Sequence, residues 1–319
     1  MKPSYLFKIL LLLTSLVFVS ACNKNHNIKN HNIKSDNLIE PLVSVQWLKT
    51  HLNDRDLVLL DASVTINSDG KGGFSQISGQ KQYNLGHIPN AGFADLMGNL
   101  SAESEVDFIM PSAEQFQKAI SELGVGDKSR VVLYSSNSNV WAARLWWMLR
   151  WAGFDNVAIL DGGLKAWKNQ GYELSTDKVI RSPQKFSLSL RPELIADRDE
   201  VFASINNNQI DLYDAMPAPH YQGLFSMYSR PGHIPTARSL PTSELVEDTG
   251  LFRALDEVDL LLDGKQQNRT ITYCGGGVAA SSLAYTLFRL GYKDVAVYMG
   301  SLQEWSANLE NPMTIDDIK

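Results

Sequence analysis

The sequence predicts an α/β fold of two domains of one design, each a mostly parallel sheet with helices on both faces. Three observations carry this reading. Short apolar strands alternate with helical stretches along the 319 residues, the pattern of parallel sheets covered on both sides. A set of elements recurs in the same order in the two halves, as expected of a duplication. One strand, Arg269 to Tyr273, runs directly into a cysteine, three glycines and a helix.

Taken in order, the repeat is specific. Leu57-Val58-Leu59-Leu60-Asp61-Ala62 is a buried strand ending in Asp-Ala, and its partner is Ile210-Asp211-Leu212-Tyr213-Asp214-Ala215. Gly86-His87-Ile88-Pro89 is matched by Gly232-His233-Ile234-Pro235, and Val131-Val132-Leu133-Tyr134 by Thr270-Ile271-Thr272-Tyr273. Gly153 to Leu160 is matched by Gly291 to Tyr298, and Gly162-Gly163-Leu164-Lys165-Ala166-Trp167 by Gly300-Ser301-Leu302-Gln303-Glu304-Trp305. Between these strands, Val45 and Pro111 open helices, the second with Ser112 as its N-cap. Trp141 to Ala152 is a third and strongly apolar helix, whose Trp146, Trp147 and Trp151 are read as packing residues. Asp61 and Asp214, at strand ends, are read as structural carboxylates that accept from the next turn. Residues 181–195, with Pro183 and Pro192, are the expected linker between domains at 42–180 and 196–319.

The chemistry lies where the two copies differ. After Tyr134 comes the polar run Ser135 to Val140, with no thiol, so the first copy reads as catalytically silent. After Tyr273 comes Cys274 at the carboxyl end of a strand, where open α/β sheets place their ligands. Gly275, Gly276 and Gly277 allow the backbone to curl, so that its N–H groups, with those of Val278 and Ala279, form a cradle for an anion. The helix from Ala279 to Leu290, closed by Gly291, adds its positive N-terminus. Such surroundings favour the thiolate of a cysteine at their centre. A cysteine-dependent phosphatase has a similar strand-loop-helix unit, but needs an arginine six residues after the cysteine, and that position is Ala280.

The remaining composition sets the context. The net charge of −6 and the lack of a basic stripe exclude tracking of a nucleic-acid backbone. Lys2 and Lys8 precede an apolar run from Ile9 to Val19, and the stretch ends Val19-Ser20-Ala21-Cys22, which resembles a bacterial lipobox. The expectation is a signal peptide over 1–22, a lipidated Cys22 and a polar tether over 23–41. The protein is then exported and held on the periplasmic side of a membrane by lipid alone. With Cys22 so used, Cys274 is the one remaining thiol of two cysteines, and no intramolecular disulfide forms. His26 and His31 are read as solvated tether residues. No metal and no cofactor is called for.

Together the two Gly-His-Ile-Pro elements, the Asp161-Gly162-Gly163-Leu164-Lys165-Ala166-Trp167 run and the Cys274-Gly275-Gly276-Gly277-Val278 loop resemble the tandem rhodanese family of thiosulfate and 3-mercaptopyruvate sulfurtransferases. The resemblance covers roughly residues 42–312. It implies two rhodanese-like domains, the first silent, and a Cys274 persulfide that passes sulfane sulfur from 3-mercaptopyruvate or thiosulfate to a thiol or cyanide-type acceptor, a thioredoxin-like protein among them. The loop is nearer the mercaptopyruvate pattern Cys-Gly-Ser-Gly-Val-Thr, but Gly276 and Ala279 replace its two hydroxyls. His220 stands where the family has an anion-binding arginine, and Arg230 is the nearest candidate for a second. His87 matches a histidine that lies near the active cysteine in the family. Arg230, His220 and His87 are therefore the expected substrate-binding residues, with Arg230 clamping a donor carboxylate. The alternative reading is a lipoprotein that holds or senses persulfide without turnover.

Overall fold

A computed structural model of the protein describes residues 38–68, 74–104, 106–264 and 266–316. Cys22 and the tether through Asn37 lie outside the described residues. From Leu38 onward the chain is one compact unit.

The first half contributes β1 (Leu42–Val43), α1 (Val45–His51), β2 (Leu57–Asp61), β3 (Val64–Ser68), β4 (Phe74–Ser78), α2 (Gln80–Leu85), β5 (Gly92–Phe93), α3 (Ala113–Glu122), β6 (Arg130–Tyr134), α4 (Asn139–Trp151), β7 (Val157–Leu160) and α5 (Gly163–Asn169). The second contributes β8 (Ile195–Ala196), α6 (Arg198–Ser204), β9 (Ile210–Asp214), α7 (Ala218–Tyr221), β10 (Arg238–Ser239), α8 (Leu255–Asp259), β11 (Arg269–Tyr273), α9 (Val278–Arg289), β12 (Val295–Tyr298) and α10 (Ser301–Trp305). The two five-stranded sheets run β1-β7-β6-β2-β5 and β8-β12-β11-β9-β10, and every pairing within them is parallel. The strand orders are the same, so the repeat read in the sequence is a repeat of topology.

Ser112 caps α3 as expected, accepting from the backbone N–H three residues on, and Ser44 and Asp197 start α1 and α6 in the same way, satisfying a donor that has no partner inside the helix. The central strands β2, β6, β9 and β11 are buried over nearly their whole length; β2 and β6 accordingly read as nearly continuous apolar runs, whereas β9 and β11 also bury Asp211, Thr270 and Thr272. Asp61 accepts from Ser63 N–H at 2.9 Å and Asp214 from Met216 N–H at 2.8 Å, the structural role read for both carboxylates.

Two features were not foreseen. The antiparallel β3–β4 hairpin is specific to the first half among the described residues. The linker is a strap rather than a tether. Gln184, Ser189 and Arg191 donate backbone N–H groups to Ser121, Ala152 and Trp151 at 2.8–3.1 Å, and Phe186 is buried against Phe116 and Phe154.

The halves meet along α4 and α9. Trp146 stands edge-on to Tyr285 at 4.9 Å and 5.1 Å from Phe288. Trp146 and Trp147 satisfy their indole N–H groups on the carbonyls of Val157 and Leu194, both at 3.0 Å. Nearly every side chain of both helices is buried, and one apolar core runs through both halves.

Candidate active site

Cys274 follows β11 directly and is 3% exposed. Its N–H donates to Ser301 Oγ at 3.1 Å, and that hydroxyl donates to Tyr298 O at 2.6 Å. The first turn of α10 holds the loop from the other side, with Leu302 N–H on Cys274 O at 3.0 Å and Gln303 N–H on Gly275 O at 2.9 Å. With those carbonyls engaged, the N–H groups of Gly275, Gly276, Gly277, Val278 and Ala279 have no acceptor among the described residues. They precede a twelve-residue helix, α9, whose dipole adds to theirs. Gly277 turns the chain into that helix with φ +78°, a left-handed conformation that glycine takes without a Cβ penalty. These five consecutive N–H groups are thus left without acceptors next to Cys274, as a cradle for an anion would require.

The loop between α7 and Gly232 roofs this cradle. A methyl group at Gly275 would overlap the Tyr228 hydroxyl. Burial keeps the Tyr228 phenol protonated, and negative charge on Cys274 and Asp214 acts in the same direction. Leu224, Phe225 and Met227 of this loop are exposed.

The structure places the expected substrate-binding residues differently. Arg230 donates to four carbonyls, those of Ser306, Asn311, Trp305 and Asn308, at 2.7–3.2 Å. Its guanidinium clasps the carboxyl-terminal loop, and this corrects its expected role as a free carboxylate clamp. His220 is 2% exposed, lies 5.4 Å from the Tyr228 ring and edge-on to Phe225, and accepts weakly from Met227 N–H at 3.4 Å. Burial pushes its pKa down, so it faces the site as a neutral ring rather than a cation.

His87 has a structural post. Its ring stacks on Tyr83 at 4.0 Å, its Nδ1 meets Tyr83 O at 2.9 Å, and its backbone pairs with Ser175. His233 repeats this arrangement with Tyr221 and Thr314. The shared geometry serves the fold in both copies, while the buried His87 Nε2 has no hydrogen-bond partner among the described residues.

Three site residues escaped the sequence reading. Ser301 and Tyr228 are named above. The third is Arg144 of α4, 1% exposed, which donates to Gly277 O at 3.3 Å. Its signal was available: one charged residue inside the apolar run Trp141 to Leu149.

Comparison with known proteins agrees with this construction. The rhodanese-like domain model matches residues 44–170 and 197–308. The chain is 32% identical over 298 residues to thiosulfate/3-mercaptopyruvate sulfurtransferase 2 of Arabidopsis thaliana, covering 84% of each chain. It is 31% identical over 280 residues to the 3-mercaptopyruvate sulfurtransferase of Mus musculus, covering 84% of this chain and 92% of that one. The crystal structure of SseA from Escherichia coli superposes with a TM-score of 0.72 at 30% identity, over 82% of this chain and 99% of that one. Two sheets of one topology, a single cysteine on a glycine loop in the second, and matches over both halves establish that the chain belongs to the tandem rhodanese family and is a sulfurtransferase.

Proposed function

We propose that Cys274 carries the transferred sulfur as a persulfide. The observation that carries this reading is the set of five N–H groups without acceptors beside a buried cysteine. In the first half-reaction the Cys274 thiolate attacks the transferable sulfur of the donor, the outer sulfur of thiosulfate or the thiol sulfur of 3-mercaptopyruvate. An S–S bond breaks in thiosulfate and sulfite leaves; a C–S bond breaks in 3-mercaptopyruvate and the pyruvate enolate leaves, to be protonated. The terminal sulfur of the resulting Cys274 persulfide is an anion, and the N–H groups of residues 275–279, which lack acceptors, are available to stabilise it. In the second half-reaction a thiolate or cyanide acceptor attacks that outer sulfur and Cys274 departs as thiolate, so atoms and electrons balance without any other redox partner.

With Arg230 engaged and His220 neutral, the anionic end of the donor is met by this N–H fan and the Tyr228 hydroxyl. Turnover of purified protein with each donor in parallel, read with the mass of the Cys274 peptide, tests the reading. A gain of one sulfur on Cys274 before acceptor is added supports it. Turnover that survives Cys274→Ser sinks it. A persulfide that forms and is never passed on would instead favour the storage or sensing role.

The cellular setting is a second part of this proposal: a lipid on Cys22 holds the protein to the exported face of a membrane. It is motivated by the sequence Val19-Ser20-Ala21-Cys22 after an apolar run. A Cys22→Ser variant that fractionates with membranes as before would remove its support.

A further inference from the structure

Arg144 is a guanidinium taken out of water without a carboxylate. Its side chain donates to Phe108 O at 2.7 Å, to Gly277 O at 3.3 Å and to the Met299 sulfur, and it takes part in no ion pair among the described residues. A buried charge satisfied by neutral acceptors alone is strongly unfavourable unless an anion stands nearby. The nearest candidate is on the loop it touches. Gly277 is the N-cap of α9, and a Cβ there would stand 2.8 Å from Arg144 Nη1. Burial pulls the Arg144 pKa down to about 10, while negative charge on Cys274 holds it up, so the side chain remains a cation near neutrality.

The arrangement is one-sided. The position 138 residues on, the spacing of the Gly153/Gly291 and Trp167/Trp305 pairs, is Ser282, a neutral residue lining the pocket beside the silent Ser135–Val140 loop. At the equivalent position the second half therefore offers a neutral hydroxyl and no cation. We infer that Arg144 is the buried counter-charge of the Cys274 anion, thiolate and persulfide alike, supplied in cis by the half that carries no thiol. It touches no substrate; it is a positioning residue that acts through the loop. This rests on the reading that Cys274 works as an anion, and it assigns the first domain a part in the chemistry.

Titratable groups on the elements packed against this loop include Tyr228 from the roofing loop and Tyr273 of β11, both kept protonated by burial, Asp214 from β9, raised to about 7 by burial, neutral His220 from α7, and Glu304 from α10, beside Gly300 and Tyr298. Of the cations, Arg230 of the roofing loop gives its N–H groups to the carboxyl-terminal loop, and Arg144 is the one that touches the Cys274 loop.

The test is the pH–rate profile of Cys274 alkylation by iodoacetamide, which needs no sulfur donor and so is independent of turnover. Arg144→Leu and Arg144→Met remove the charge in a setting already apolar. In either variant the profile is expected to move to higher pH, with a rate about tenfold lower on its rising limb, while Arg144→Lys stays closer to wild type. A folded apolar variant with an unchanged profile overturns the inference. Should neither apolar variant fold, wild-type protein blocked at Cys274 decides. Iodoacetate leaves an anionic cap and iodoacetamide a neutral one of similar size, so the first product should melt higher at low salt. Equal melting of the two overturns the inference. A shifted profile in an enzyme that turns over neither donor would leave the inference standing and remove the functional proposal instead.

Discussion

Arg230 and Asp214 are two residues whose type suggested one role and whose partners define it. Arg230 gives its N–H groups to four carbonyls of the carboxyl-terminal loop. Arg230→Ala should therefore cost stability, on the order of 1–3 kcal/mol for lost charged hydrogen bonds, and leave the KM for sulfur donor nearly unchanged. Melting curves and donor titrations on the same preparation check this, and a raised KM at unaltered melting temperature would restore the clamp. Asp214 is fully buried, with Oδ2 lacking a partner, and burial raises its pKa to about 7. A carboxyl raised in the folded state contributes stability that is full below its unfolded value near 4 and is lost as pH rises toward 7. Asp214→Asn fixes the neutral form, so its stability relative to wild type should increase steadily between those limits, and a difference flat with pH contradicts the assignment. At this scale the sequence was informative where chemistry is written in consecutive residues. Cys274 and its glycines could be read because strand, thiol and helix start adjoin. Arg144 could not, since the carbonyl it meets lies 133 residues away, and the partners of Arg230 are likewise 75–81 residues distant.

Elements with strong local signals were equally legible. Capped helices, buried strands and the order of the repeats follow from side-chain chemistry and periodicity. The strap over residues 184–191 was not, because its backbone bonds go to the first half and leave no mark on its composition. The loop between α7 and Gly232 belongs with it: a polar and apolar mixture that reads as surface, yet sets Tyr228 against Gly275. That contact makes the loop and the cradle one device. Gly275→Ala should displace Tyr228, at an overpacking cost of about 1–3 kcal/mol, and slow turnover. Tyr228→Ala removes the obstacle, so the double variant should regain part of the stability lost in Gly275→Ala. A double-mutant cycle in chemical denaturation measures this coupling, and strictly additive effects would separate the two residues.

The whole molecule is two copies of one topology joined through a common core, and this sets how far the halves can act alone. In α9 the side chains from Ala280 to Leu287 are all buried. A helix apolar on every side needs cover on every side, and α4 supplies one face through Trp146 against Tyr285 and Phe288. The strap adds backbone bonds on the first half up to Arg191, four residues before β8 begins. Domain boundaries within a chain are commonly loose and polar; here the contact is apolar and continuous. The duplicated ancestry visible in the sequence therefore does not imply two independent folding units. Calorimetry on the full chain should show one transition, with the calorimetric and van't Hoff enthalpies agreeing. A fragment of residues 196–319 should expose the apolar face of α9 and bind a hydrophobic dye or aggregate. Two resolved transitions, or a second-half fragment that stays monomeric with native-like near-ultraviolet circular dichroism, would show that the copies have kept their independence.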